Sequence, residues 1–165
     1  RSSVMQDYFS NVMNAEKTTF KDSQFDIIVC RAIIHHLELA SCYQELQRLL
    51  TPTGKAFFLE PLGHNPLINL YRYLTPTMRT EDEHPLTRRD LKQLNQYFNR
   101  VEIKYFAMLA LLAVPFRRFF FFKPLCQLLQ GIDQLLFKLP YLKYYAWIAV
   151  ISVSEPKEPT SMESY

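Results

Sequence analysis

The groups in this chain best suited to moving a proton near neutral pH are its four histidines, His35, His36, His64 and His84. Histidine serves general acid-base chemistry because its ordinary pKa lies close to neutrality. Carboxylates stand near them in sequence, Glu60 ahead of His64 and Glu83 beside His84. His36 and His64 are therefore the candidate catalytic groups, with Glu60, Asn65, Arg72, Glu83 and His84 as candidates for the substrate side. Plainer roles are open to each: His35-His36 can pack or cap beside a strand, Glu60 can cap a helix starting near Pro66 or pair with Arg72, and Glu83-His84 can fix the loop before Pro85. No metal site is expected, because the histidine pair has no Asp, Glu or Cys at ligand spacing. Cys30, Cys42 and Cys126 have no CxxC spacing, and their odd number fits a reducing, cytoplasmic compartment.

Those side chains need a frame, and the stretch Phe25–Gly63 supplies one. An apolar run at Phe25–Cys30 reads as a buried central strand, a helix follows over Ala40–Leu50, and a second strand spans Lys55–Glu60. Thr51-Pro52-Thr53-Gly54 between them reads as a helix stop with Gly beyond the last turn. A strand, crossover helix and strand make a parallel α/β unit. Ligands of such sheets sit outside the carboxyl ends of the strands, here Cys30–His36 and Glu60–Asn65.

The rest of the chain is read in the same way. A short strand is expected near Ser10–Met13, then a loop through Asn14 and Glu16. Asn65-Pro66 is a helix start, with the helix reaching Leu74. Thr80–His84 reads as an acidic, irregular loop. Thr87 with Asp90 makes a capping box for a helix over Arg88–Tyr97 that turns Leu91, Leu94 and Phe98 inward. Strands are expected at Val101–Phe106 and Trp147–Val153. Between them residues 107–145 form a helical, aromatic-rich insertion, with Leu125, Leu128, Leu129, Ile132, Leu135 and Leu136 on one face of a helix begun by Pro124. Residues 154–165 read as a polar, flexible tail after a partial domain over 1–153.

A net charge of +3 without a basic stripe gives no nucleic-acid footprint. The apolar run Tyr105–Phe116 is too short to span a bilayer, and RSSVMQDYFS lacks the apolar core of a signal peptide. With only Gly54, Gly63 and Gly131, no glycine-rich turn is placed to meet a nucleotide.

The motifs FDIIVCRAIIHHLE and LQRLLTPTGKAFFLEPLGHNP, taken together, resemble the second half of the Rossmann-like S-adenosylmethionine-dependent methyltransferases. In that family a strand beginning FD leads to an LHHL corner, and the next strand follows an L-x-P-G-G turn, where Thr53 here replaces the first Gly. Met13–Phe20 is similar to the family's G-D-A-x-x-L-P-F loop, with Asn14 in the Asp position. EPLGHNPLINLYRYLTPTMRTEDEHPL resembles a branch of small methyltransferases with a long substrate-side segment. The resemblance implies a C-terminal part of such a domain, an α/β fold of parallel strands plus a final antiparallel strand set beside the fifth, and S-adenosylmethionine as cofactor. It places Asn14 and Ala15 at the adenine edge, where a solvated turn is the plainer alternative, and Cys30 and Arg31 at the methionine side. The family's glycine-rich turn and ribose-binding acid have no counterpart, so the chain alone is expected to bind cofactor poorly.

Methyl transfer is an in-line displacement that needs positioning and exclusion of water more than a nucleophile motif. Phe119–Phe122, flanked by Arg117, Arg118 and Lys123, can cover a small or lipid-like acceptor, meet a membrane at its periphery, or pack as a lid on the sheet. The competing expectation is a non-catalytic module that uses this insertion to bind a partner.

Overall fold

A computed structural model describes residues 10–75 and 83–158 of the chain. Its frame is a four-stranded sheet in the order β1-β2-β4-β3, made of β1 (Phe25–Arg31), β2 (Leu50–Pro61), β3 (Phe98–Phe106) and β4 (Ile148–Pro156). The crossover helix α1 (Leu39–Leu49) joins β1 to β2, which pair in parallel. β4 lies between β2 and β3 and is antiparallel to both. It follows that β1, β2 and β3 run the same way, so their carboxyl ends share one rim. The expected α/β architecture, with the final antiparallel strand beside the second strand of the unit, is the one observed.

Two helices follow β2 before β3, α2 (Pro66–Leu74) and α3 (Arg88–Tyr97). Helices α1 and α3 cover one face of the sheet. Cys42, Tyr43 and Leu46 of α1 and Leu91 and Leu94 of α3 meet Phe58 of β2 and Ile151 and Val153 of β4 in a single buried cluster. The α3 start is the expected capping box, in which Asp90 N–H donates to Thr87 Oγ1 and Thr87 N–H donates to the Asp90 carboxylate. α2 likewise begins as expected, with Asn65 Oδ1 accepting from Leu67 and Ile68 N–H.

Several expectations are corrected. Ser10–Met13 forms no strand; a strand requires a partner for its backbone groups, and none pairs with it among the described residues. Phe25–Cys30 is a strand, yet among the described residues it lies at the sheet edge and not at a buried centre: Ile27 is 66% and Val29 is 73% exposed on the face opposite α1 and α3. Apolarity there answers to a covering layer that the described residues do not contain. The glycine stop after α1 is also absent, since Leu50 passes directly into extended backbone and Thr51-Pro52-Thr53-Gly54 belong to β2, as an irregularity between the Phe25–Leu50 and Ile27–Lys55 pairs. β4 continues to Pro156, pairing Ser154 with Arg100 and Pro156 with Phe98, so the C-terminal segment leaves the sheet later than expected. Residues Thr80–Asp82 of the acidic loop and residues 159–165 of the tail lie outside the described residues.

Gly54 has a packing role in place of a capping one. It is buried within β2, and a Cβ there would stand 2.9 Å from Phe25 O and 3.0 Å from Thr51 O. Both obstacles are backbone, so neither can swing aside. Gly54→Ala is expected to destabilise the chain by about 1–3 kcal/mol in urea unfolding, through forced displacement of β1 from β2; an unchanged midpoint would show that the strands accommodate the methyl group.

Candidate functional site

Three segments converge on the rim at the carboxyl ends of β1 and β2. The first is the corner after β1, where Ala32 takes a left-handed conformation (φ 51°) and a 3-10 turn follows over Ile34–His36. A second is Pro61–Asn65, which leaves β2. Third comes Glu83–Thr87, laid along the end of β2 by Leu86 N–H to Pro61 O and Gly63 N–H to Leu86 O, both 3.0 Å. His84 N–H donates to His35 O at 2.9 Å and ties the third segment to the first.

Glu60 holds the rim together from beneath. Its residue is 0% exposed, and its carboxylate accepts from Ile33 and Ile34 N–H at 3.1 and 3.2 Å while meeting His35 Nδ1 at 2.7 Å. A carboxylate only accepts hydrogen bonds, so it holds the proton of His35 on Nδ1. Glu60 neither caps the helix at Pro66 nor pairs with Arg72, which instead reaches Asn69 Oδ1 and Leu62 O. His35, packed ring against ring with His36 at 4.1 Å, is buried, and is thus the structural member of the histidine pair.

His36 is half-buried and lines an open cleft of about 640 Å³ with Glu83, His84, Arg89, Asp90 and Gln93. His64 is exposed on the same rim, but its Nε2 accepts from Arg88 N–H at 3.3 Å. Asn65 is buried, with its Oδ1 engaged in the α2 cap and its Nδ2 donating to Tyr145 O at 2.7 Å. Cys30 packs against the core on the helix-covered face, and burial together with the Glu60 charge pushes its thiol up to about 11. It is therefore inert as a nucleophile at neutral pH. Arg31, next along β1, is exposed.

The Asn14 loop is held against α1 by residues whose roles the sequence does not disclose. Asn14 Oδ1 accepts from Glu16 N–H at 2.9 Å, forming a turn that includes Ala15. Thr18 donates to Glu45 Oε1 from both N–H and Oγ1, at 2.8 and 2.6 Å. Arg48 bridges Glu45, Asp22 and Phe20 O. Hydrogen bonding from Arg48, set against burial, brings the Glu45 carboxyl down to about 2. Glu45 and Arg48 sit one helical turn apart, a spacing that signals an ion pair on a helix but not its attachment to a loop.

Residues 4–58 match the family model of a methyltransferase domain. Solved structures with the same fold include an S-adenosylmethionine-dependent methyltransferase from Archaeoglobus fulgidus, 15% identical, covering 88% of this chain and 66% of that one with a TM-score of 0.56. Another is phosphoethanolamine N-methyltransferase 2 of Haemonchus contortus, in complex with phosphomonomethylethanolamine and S-adenosylhomocysteine: 15% identity, 88% of this chain, 37% of that one, TM-score 0.54. A third is geranyl diphosphate C-methyltransferase of Streptomyces coelicolor, with 12% identity, 88% and 53% coverage and a TM-score of 0.53. The chain therefore spans between 37% and 66% of the length of these structures. No curated protein matches it. The chain has the fold of the S-adenosylmethionine-dependent methyltransferases, and the resemblance read from Phe25–Glu38 falls inside the matched region.

Removing the Glu60 carboxylate with Glu60→Leu takes the acceptor from the buried donors on Ile34 and His35 and the part-buried one on Ile33, and is expected to cost roughly 3 kcal/mol or more in urea unfolding. Glu60→Gln keeps an acceptor for the two backbone donors and should cost less; equal losses would contradict the assigned bonding. For Glu45 the folded pKa of about 2 lies below its ordinary 4.5. Its contribution is thus present above pH 4.5 and lost as pH falls through about 2. Glu45→Gln should flatten that part of a stability–pH profile, and an unaltered profile would refute the tether.

Proposed function

We propose that this chain is the C-terminal portion of an enzyme that transfers a methyl group from S-adenosylmethionine to a small or lipid-like acceptor in the cytoplasm, at the periphery of a membrane. The observation carrying this reading is the meeting of the β1 and β2 corners on one rim, fastened by Glu60, beside the cleft that holds His36.

The residues present fit one side of the cofactor. The tethered Asn14 turn offers the Asn14 amide and the Ala15 N–H to an adenine edge, with Asn14 Oδ1 held in place by Glu16 N–H. Arg31 stands exposed at the end of β1 and would face the methionine side. By contrast Gly54 lies inside β2, Gly63 beside Leu86 and Gly131 inside α4 (Phe122–Leu136), so none lines a backbone cradle for the methionine and ribose end. Those contacts belong to upstream strands, a reading that the partial coverage of the similar structures supports.

When bound, the cofactor supplies an electrophilic methyl group on a sulfonium. The work left to this chain is to hold the acceptor in line, exclude water and take its proton. His36 is the candidate proton acceptor at the cleft; Glu83, His84, Arg89 and Asp90 give the cleft polar walls for an acceptor head group. His64 is the second candidate, exposed on the same rim with its Nε2 accepting from Arg88 N–H. A second reading, a non-catalytic module, draws support from the exposed Ile27 and Val29, which offer an apolar surface to a partner.

Titration calorimetry separates the two readings. S-adenosylmethionine is expected to bind weakly or not at all to the chain as it stands and measurably to a version extended by the upstream strands; no heat from either would reject the enzyme. In the extended protein, at saturating acceptor, His36→Ala should lower kcat by about 10²–10⁴-fold. Full activity would remove His36 from the chemistry.

A further inference from the structure

We propose that the insertion between β3 and β4 is a docking surface for anionic lipid bilayers, with the Phe119-Phe120 tip entering the acyl boundary. The proposal rests on the chain's own surface and stands apart from the cofactor reading.

The insertion comprises a 3-10 helix over Ala110–Phe116, helix α4 and a 3-10 turn over Leu142–Tyr145. Its inner side is fastened. Asp133, buried in α4, accepts from Met108, Leu109 and Ala110 N–H at 3.0, 2.8 and 3.2 Å. Phe137 and Tyr144 pack their rings on Tyr105 of β3, and Trp147 N–H closes the neck on Phe106 and Ala107 O. The platform is therefore attached to the sheet by one set of aromatic residues while another set faces outward.

That outward set is the apolar tip. Phe120 is 96% exposed, and Phe116 and Phe119 are also exposed, with the Phe116, Phe119, Phe120 and Phe121 rings packed on one another. Of the leucines expected on one face of α4, Leu128 and Leu135 are exposed two turns apart on its outer stripe. Asp133 decides this: its three hydrogen bonds pull its own side of the helix inward, and Leu129, Ile132 and Leu136 follow. Exposed apolar groups gathered in this way mark an interaction surface.

Charge selects the partner. Between Ala107 and Tyr145 the basic residues are Arg117, Arg118, Lys123, Lys138 and Lys143, and the sole acid is the buried Asp133. Arg117, Arg118 and Lys123 are exposed and flank the phenylalanines directly. Aromatic groups that enter the interface, ringed by cations that meet anionic head groups, are the chemistry of a peripheral membrane contact. Position agrees with it: Phe106 pairs with Ile148 and Ile148 with Pro61, so the insertion leaves and rejoins the sheet at the rim that carries the cleft. A lipid-like acceptor drawn from the bilayer would arrive on that side.

The test is cosedimentation of the full chain with vesicles of phosphatidylcholine and of phosphatidylcholine mixed with phosphatidylserine in equal parts. Binding is expected to the anionic vesicles, diminished by salt. Phe119→Ser with Phe120→Ser should weaken it at least about tenfold, and Arg117→Gln with Arg118→Gln and Lys123→Gln on the order of a hundredfold. Ile27→Ser with Val29→Ser, on the sheet face, should leave it intact. Depth is read separately: Phe120→Trp in a Trp147→Phe background, where it is the sole tryptophan, should be quenched by brominated acyl chains. Absence of binding, binding lost through the sheet-face variant instead of the tip variant, or an unquenched tip would each overturn the proposal. None of these readouts involves the cofactor, so they leave the methyl-transfer reading to its own test.

Discussion

A carboxylate without solvent is a costly thing to keep, and the rim of this sheet depends on one. Glu60 is taken out of water at the end of β2, where two backbone N–H groups and an imidazole together compensate its lost hydration. Each of those donors belongs to the turn after β1. The bonding therefore fixes how that turn sits on its neighbouring strand, and with it the position of His36 and, through His35 O, of the segment beginning at Glu83. A residue that the sequence offers for contact with substrate acts one layer further in, by setting the place of the residues that line the cleft.

The same arrangement recurs elsewhere in the fold. Glu45 fastens the Asn14 loop to α1, Asn65 joins the start of α2 to Tyr145, and Asp133 gathers the first turn of the insertion. In each case a buried polar side chain meets backbone groups that would otherwise lack a partner. These polar ties connect loops that have little apolar area of their own, while the hydrophobic cluster between the sheet and helices α1 and α3 carries the burial. The loops at the candidate rim are thus held by hydrogen bonds, and the sheet beneath them by packing.

One face of the sheet is served differently. Ile27 and Val29 stand open where a parallel strand pair ordinarily has a second layer. The similar structures are longer than this chain, and Ile27 and Val29 belong to the region matched by the methyltransferase model. Apolar exposure in the insertion has another character, since it comes with a ring of cations and with its own internal ring packing. The two surfaces therefore differ in chemistry, the first apolar alone and the second apolar with cations beside it.

Local signals were sufficient for much of this. Asn65-Pro66 and Thr87 with Asp90 mark helix starts because a cap is made by residues within four positions of each other, and both starts are found where the sequence puts them. The order of β1, α1 and β2, and the common rim of those two strands, follow from runs of apolar residues and from the parallel pairing that a crossover helix imposes. What the sequence could not decide was which apolar face meets the core and which polar side chain finds which partner. Phe25–Cys30 reads as central but has a neighbour on one side only among the described residues, the shared leucine face of α4 is divided between buried and exposed positions by the tie at Asp133, and Glu60 lies 25 to 27 positions from its partners. Such choices rest on contacts between distant segments, and only the assembled sheet brings those segments within bonding distance.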